Sequence, residues 1–165
     1  MIDLIFKIDN NTLIVLSNGE GYYYEQTYIQ VMNTYLKPLL LDFNTLMSAS
    51  KLILGEAKYK RPFAYHDEQG INVFIPTCSR KSRNCIFVSL HYLSCHGVKE
   101  FNEKYGQKIS NHTWNTMIGI AITYRNMFTN HLEIPFNSLK IENENIKKYV
   151  SSWWWDIFLN FIGKQ

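Results

Sequence analysis

The sequence contains little that would divide the chain or direct it out of the cell. No apolar run approaches the roughly 20 residues that cross a bilayer, and the start, Met1–Lys7, lacks the basic region and cleavage site of a signal peptide. The four prolines are widely spaced, and no repeat or linker interrupts the 165 residues. We therefore expect one cytoplasmic domain spanning residues 1–165, without a membrane partner.

Cysteine is also scarce. The three cysteines are an odd number, and a reducing compartment argues against a disulfide framework. With two histidines they have the chemistry of zinc ligands, but six and nine residues separate successive cysteines, whereas structural zinc sites pair close ligands. We expect packed cysteines and partly exposed histidines, with no metal or cofactor. The residues concerned are Cys78, Cys85, His91, Cys95 and His96.

Signatures of common catalytic sites are missing as well. The chain has no phosphate-binding loop, dinucleotide fingerprint, nucleophile elbow or H-E-x-x-H motif. Cys95 and His96 are neighbours, and their side chains would point to opposite sides of a strand, which argues against a dyad. Asp67 and Glu68 are typical of a solvated turn. We expect no enzyme activity.

Apolar and aromatic residues are abundant, at 46% and 15% of the chain, and this composition excludes intrinsic disorder. Short apolar runs separated by turn residues predict strands in the first half, and the turn at Asp67–Gly70 separates two more. Ile118–Tyr124 alternates with a period of two, which predicts a hairpin with Leu132–Phe136. The other expected strands are Leu4–Phe6, Thr12–Leu16, Thr27–Thr34, Phe63–Tyr65, Ile71–Ile75 and Cys85–Leu93. The leucine-rich run Leu36–Leu41 suits a buried strand, with a helix as the alternative, because its length and periodicity fit both.

Two helices are expected. Asn44 is a good N-cap and Gly55 suits the C-terminal end, so Thr45–Leu54 is predicted to be a short helix. After Pro135, apolar residues at helical spacing predict a long helix over residues 138–162. The expected fold class is α+β, with antiparallel or mixed hairpins in one compact domain, a short mid-chain helix and a long C-terminal helix.

Positive charge is concentrated in the middle of the chain. The net charge is only +3, but residues 51–83 hold seven basic residues against three acidic ones. Such clusters neutralise phosphates, and arginine also enters narrow minor grooves. The alternative is an ordinary solubilising loop. The candidate DNA-binding residues are Lys58, Lys60, Arg61, Arg80, Lys81 and Arg83.

The C-terminal segment is apolar almost all round a helix, which is more than one small core can bury. We predict a surface for self-association there, the alternatives being core packing or insertion at a membrane interface. The candidate oligomerisation residues are Trp153, Trp154, Ile157, Phe158 and Phe161.

An ordered series of motifs resembles the central block of the ComK competence transcription factors. These motifs are Tyr59–Phe63, Phe74–Ser79, and Asn84–Ser89 followed by His91. In that family a Tyr-Lys-x-Pro-Ile-like strand leads to Phe-Pro-Thr-x-Ser and then to a Cys-x-Trp-Ile-Ser-like strand.

Flanking segments extend this resemblance over about residues 10–150. Upstream, Leu36–Leu39 with Leu41-Asp42 is similar to the Lys-Pro-Leu and Ile-Asp elements of the family. Downstream, the stretch from Ile122–Tyr124 to Phe136–Leu139 is similar to its last hairpin and helix start.

The resemblance implies a single ComK-like DNA-binding domain. It implies a transcriptional activator of DNA-uptake genes that binds A/T-rich promoter DNA as an oligomer, largely through the minor groove. The implied partners are double-stranded A/T-rich DNA, further copies of the chain, RNA polymerase and an adaptor of an ATP-dependent protease, and the implied location is the nucleoid. The competing hypothesis is a regulatory protein-interaction module without DNA binding, because the segment Asn44–Lys51 has lost most of the basic character of its counterpart in the family.

Overall fold

The computed structural model describes residues 1–55, 60–79 and 81–138, with the backbone alone for residues 130–138. Over these ranges the chain has the predicted α+β class, a six-stranded antiparallel sheet accompanied by five α-helices. The residues beyond 138, which include most of the expected helix over 138–162, lie outside this description.

The sheet consists of two three-stranded meanders joined side by side. Strands β1 and β6 form the central antiparallel pair, in which Ile8 lies opposite Asn84 and Leu4 opposite Val88. The spatial order is β3-β2-β1-β6-β5-β4, so β3 and β4 are the edge strands. The strands are β1 Ile2–Ile8, β2 Asn11–Leu16, β3 Gly21–Tyr24, β4 Phe63–Asp67, β5 Gly70–Pro76 and β6 Asn84–Ser89.

Two helices connect the meanders and three follow the second one. A 3-10 turn at Lys37–Leu39 separates the first two helices. The helices are α1 Tyr28–Leu36, α2 Phe43–Leu54, α3 Leu90–Cys95, α4 Val98–Tyr105 and α5 Asn111–Ser138. No helix within the described ranges is long and apolar enough to cross a membrane.

Aromatic side chains join the helices to both faces of the sheet. On one face the Phe87 ring lies 5.4 Å from Tyr28 of α1 and 5.5 Å from Phe63 of β4. On the other face Phe6 lies 5.1 Å from Tyr105 at the end of α4. Because successive residues of a strand point to opposite faces, this packing buries the central strands on both sides.

The predicted strand at Thr27–Thr34 is wrong, because this segment forms α1. Thr27 and Gln30 make a reciprocal capping box at its start. The helix buries Val31, Met32 and Leu36, which share one helical face. Of the two alternatives for Leu36–Leu41, the strand is wrong, since the segment contains the end of α1 and the 3-10 turn.

The predicted hairpin of Ile118–Tyr124 and Leu132–Phe136 is also wrong, because both segments belong to α5. Ile122, expected to face the core, is 45% exposed. The buried side chains recur every three or four residues, as on one face of a helix. They are Trp114, Met117, Ala121, Tyr124 and Phe128.

Two other predictions gave the correct type of element but the wrong bounds. The mid-chain helix is confirmed as α2, but its N-cap is Asp42 rather than Asn44. The expected strand Cys85–Leu93 ends at Ser89, whose hydroxyl caps α3 by accepting from the Tyr92 backbone N–H. His91 therefore lies on a helix rather than on a strand.

Candidate nucleic-acid interface

The six candidate DNA-binding residues form two clusters in the sequence, Lys58, Lys60 and Arg61 first and Arg80, Lys81 and Arg83 second. The second cluster belongs to the loop between β5 and β6, and backbone hydrogen bonds hold this loop at its base. Thr77 N–H donates to the Ile86 carbonyl at 2.9 Å, and Ser82 N–H donates to the Ser79 carbonyl at 2.9 Å. We call residues 77–83 the basic loop. Its members Lys81 and Arg83 are exposed, whereas Arg80 lies outside the described residues.

Arg83 forms an ion pair with Asp9 in the turn between β1 and β2. Its Nε lies 2.9 Å from Asp9 Oδ1, and the two side chains are 87% and 55% exposed. The Asp9 backbone N–H also donates to the Arg83 carbonyl at 3.1 Å. Because exposed pairs contribute only about 0.2–1 kcal/mol, Arg83 can exchange Asp9 for another anion at small cost.

The first basic cluster precedes β4. Lys60 is half-buried. Arg61 Nη1 donates to the Gly55 carbonyl at 2.9 Å, which ties this segment to the C-terminal end of α2. Lys58, the third predicted contact of this cluster, lies outside the described residues.

The two basic clusters precede strands that the chain enters from the same end of the sheet, but the two strands start at different levels. β4 and β6 run in the same direction because both are antiparallel to β5, so the chain enters both strands from one end of the sheet. Phe63, the first residue of β4, lies opposite Phe74, which lies opposite Ser89 at the far end of β6. This stagger of five residues separates the strand starts by about 17 Å along the sheet and about 10 Å across it.

The nearest acidic turn in sequence is at the opposite end of the sheet. Asp67 Oδ1 accepts from the Gln69 N–H at 2.9 Å, and Asp67 and Glu68 line a cavity of about 540 Å³ together with Tyr65. Burial is the main factor that raises the Tyr65 pKa above its ordinary value, and Asp67 contributes. These carboxylates therefore do not neutralise the basic loop.

Sequence reasoning missed Lys7, which lies beside the basic loop. β1 extends to Ile8, so Lys7 is opposite Cys85, one residue into β6. Its Nζ lies 5.6 Å from the Tyr28 ring centroid, within cation–π range. The sequence indicated a strand only as far as Phe6, where the apolar run ends. The position of Lys7 beside β6 becomes visible only when β1 is known to continue to Ile8.

The five candidate zinc ligands occupy two separate places. The Cys85 thiol donates to the Cys78 carbonyl at 3.6 Å near the start of β6, whereas His91 and Cys95 lie on α3 beyond its end. Within residues 1–55, 60–79 and 81–138, no three His, Cys, Asp or Glu side chains are grouped to hold a metal ion.

The predicted oligomerisation surface lies outside the described residues. This applies to each of its five members, Trp153, Trp154, Ile157, Phe158 and Phe161.

Comparison with known proteins adds no relative. No protein-family model matches the chain, and neither the curated proteins nor the solved structures give a match.

Proposed function

We propose that this chain is a DNA-binding transcriptional regulator of the bacterial cytoplasm, acting on the nucleoid as an activator of DNA-uptake genes. The target genes follow from the resemblance to the ComK family. The proposed manner of binding is supported by one observation, the exposed basic loop anchored at its base between two sheet strands.

The basic loop has the physical properties that a groove contact requires. Its anchored base limits the conformational entropy that ordering on DNA would cost. Lys81 and Arg83 are exposed, and the weak pair with Asp9 leaves Arg83 able to bind a phosphate. A narrow A/T-rich minor groove attracts arginine without base-specific hydrogen bonds, so we assign Arg80 and Arg83 to the groove and Lys81 to a phosphate.

The first basic cluster would provide a second point of contact. Lys60 and Arg61 precede β4, which the chain enters from the same end of the sheet as β6. The starts of these two strands are about 10 Å apart across the sheet and about 17 Å apart along it, a spacing that suits contacts to different phosphates of one duplex. Several copies on one site would add further contacts, which compensates for the small net charge of one protomer.

A second candidate is the protein-interaction module. It is favoured by edge strand β3, where Tyr22 and Tyr23 are 44% and 56% exposed and the outer strand edge pairs with no other strand of the described part of the chain. An added strand from a protein partner could pair there. If the chain is such a module, partner binding should not depend on the residues of the basic loop.

Fluorescence anisotropy with A/T-rich and G/C-rich duplexes of equal length, over a range of salt concentrations, distinguishes the two candidates. We expect tighter binding to the A/T-rich duplex. Lys81→Gln should weaken binding to both duplexes and reduce the salt slope by about 0.9. Arg83→Gln should also reduce the preference for A/T.

Lys99→Gln is the matched control, because Lys99 is an exposed lysine on α4 that belongs to neither basic cluster. It should bind like the wild type. If the double variant Lys81→Gln, Arg83→Gln keeps wild-type affinity and salt slope on both duplexes, the basic loop is a solvated surface and the proposal fails.

A further inference from the structure

Three side chains from distant parts of the sequence form a continuous chain of contacts at the end of the sheet away from the basic loop. His91 Nδ1 lies 3.3 Å from Asp3 Oδ1, across 88 residues of sequence. His91 Nε2 lies 3.8 Å from the Cys95 thiol sulfur, one turn along α3. An acid, a base and a thiol are thereby linked in the order that a nucleophilic site requires.

Asp3 is placed to orient the imidazole. It is 5% exposed, and its Oδ1 also accepts from the Ser17 hydroxyl at 3.0 Å. A carboxylate at Nδ1 favours the tautomer with the proton on that nitrogen, which leaves Nε2 as the acceptor that faces the thiol. Asp3 therefore acts as a positioning residue for His91.

Cys95 is open to solvent and lies two residues before the N-cap of the next helix. The residue is exposed, and the side chain of His91 is 49% exposed. Two residues further on, Gly97 is the N-cap of α4 and offers no side-chain cap, and the first intrahelical bond runs from Phe101 N–H to the Gly97 carbonyl. The backbone N–H groups of the first turn of α4 thus have no partner within the helix.

The other two thiols have different surroundings. Burial raises the pKa of the Cys85 thiol to about 12, so it stays protonated. The half-buried Cys78 donates its thiol hydrogen to the Asn84 carbonyl at 3.4 Å. Among the three thiols, Cys95 alone has a histidine nitrogen in hydrogen-bond range within the described residues.

We propose that Cys95 is a base-activated thiol that accepts an acyl group from a small activated ester or thioester. The exposed position on α3 suits a covalent acceptor site for small reagents. It differs from the basic loop in place and chemistry, and it does not depend on DNA binding.

The transfer balances within this set of residues. His91 Nε2 takes the thiol proton as Cys95 Sγ attacks the acyl carbon, and the bond from that carbon to the leaving oxygen or sulfur breaks. The imidazolium returns the proton to the leaving group, and the acyl group remains on Cys95 as a thioester. Asp3 stays ionised throughout and stabilises the transient imidazolium.

Acetylation by p-nitrophenyl acetate tests the proposal on the full chain. The expected result is one equivalent of released p-nitrophenol in a burst, with one acetyl group located on Cys95 by peptide mass spectrometry. Cys95→Ser should abolish the burst. His91→Ala should slow acetylation by about a hundredfold, at the lower end of what a positioned base contributes.

Matched controls separate chemistry from structure. His96→Ala removes the neighbouring histidine, which pairs with Glu100 at 3.0 Å rather than with Cys95, and should leave the rate unchanged. Added imidazole should restore the rate in His91→Ala, since a structural defect would not respond to a free base. Asp3→Asn should slow acetylation and shift the His91 tautomer in ¹⁵N NMR spectra.

Two results would overturn the proposal. One is acetylation of Cys78 and Cys95 at equal rates. The other is a His91→Ala variant that reacts as fast as His96→Ala.

Discussion

Asp42 shows how one side chain sets the start of a helix. Its carboxylate accepts from the Thr45 backbone N–H at 2.8 Å and caps α2. Asp42→Ala should lower the free energy of unfolding by about 1 kcal/mol, because the capping bond and the favourable charge at the helix N-terminus are both lost. Urea unfolding measures this change.

Asn44→Ala is the matched control for that prediction. Asn44 is an exposed residue within α2, two positions after the true cap. Its replacement should change the free energy of unfolding by no more than about 0.5 kcal/mol, as is typical of surface substitutions. A loss as large as that of Asp42→Ala would contradict the assignment of the cap.

The buried Cys85 thiol makes the free energy of unfolding depend on pH in the alkaline range. Burial, with a contribution from Cys78, raises its folded pKa from 9.0 to about 12. A group whose folded pKa is raised contributes stability fully below its unfolded pKa, and loses it as pH rises towards the folded value. The free energy of unfolding should therefore fall between pH 9 and 12, and less steeply in Cys85→Ala. Equal slopes for both proteins would show that the thiol does not titrate in this way.

At the scale of single residues, the sequence allowed correct prediction of the end of α2 but not of its start. Gly55 has a positive φ of 79° at the end of the helix, a conformation that glycine adopts readily. Asp42 and Asn44 are both good N-caps, and only the packing of Phe43 into the core decides between them. Arg83 was predicted as a basic contact, but its partner Asp9 is 74 residues away and has no local signal.

At the scale of elements, Phe87 is the central contact between the sheet and the connecting helices. Its ring meets Tyr28 of α1, Phe43 of α2 and Phe63 of β4. Phe87→Ala should cost about 3–5 kcal/mol, because a buried ring is removed and its neighbours cannot fill the cavity. Tyr23→Ala, on the exposed edge strand, should cost far less. Chemical denaturation of both variants checks the difference.

The element that sequence reasoning assigned least well is α5. Alternating Ile118, Ile120 and Ile122 indicated a strand, but the same residues lie on a helix whose buried face is defined by Met117, Ala121 and Tyr124. A short window fits both periods, and only the longer pattern from Trp114 to Phe128 favours the helix. A separate error, the extension of the predicted strand Cys85–Leu93 beyond Ser89, concealed the contact between His91 and Cys95, because residues four apart lie together on a helix and not on a strand.

At the scale of the whole molecule, the position of the basic clusters depends on long-range strand pairing. The contact between β1 and β6 links residues about 80 positions apart, and hydrophobic patterns do not specify such a register on their own. The sequence therefore identified both clusters, while their shared approach to one end of the sheet and their stagger required the structure.

Self-association is predicted to depend on the apolar C-terminal segment. Replacing Ile157 and Phe161 with glutamate should convert oligomers to monomers, because charges in an apolar interface are costly to desolvate. Light scattering reports the mass, and circular dichroism reports whether the fold persists. A variant that stays folded and keeps its oligomeric mass would exclude this surface as the interface.

Hydrogen–deuterium exchange of the full chain with and without a saturating A/T-rich duplex tests most directly where DNA is held. We expect slower exchange in peptides that cover the basic loop, residues 77–83, and in those that begin at Lys60. Exchange in the turn at Asp67–Gly70, at the opposite end of the sheet, should not change. Protection of that turn with none in the basic loop, or no protection anywhere at saturation, would contradict the account.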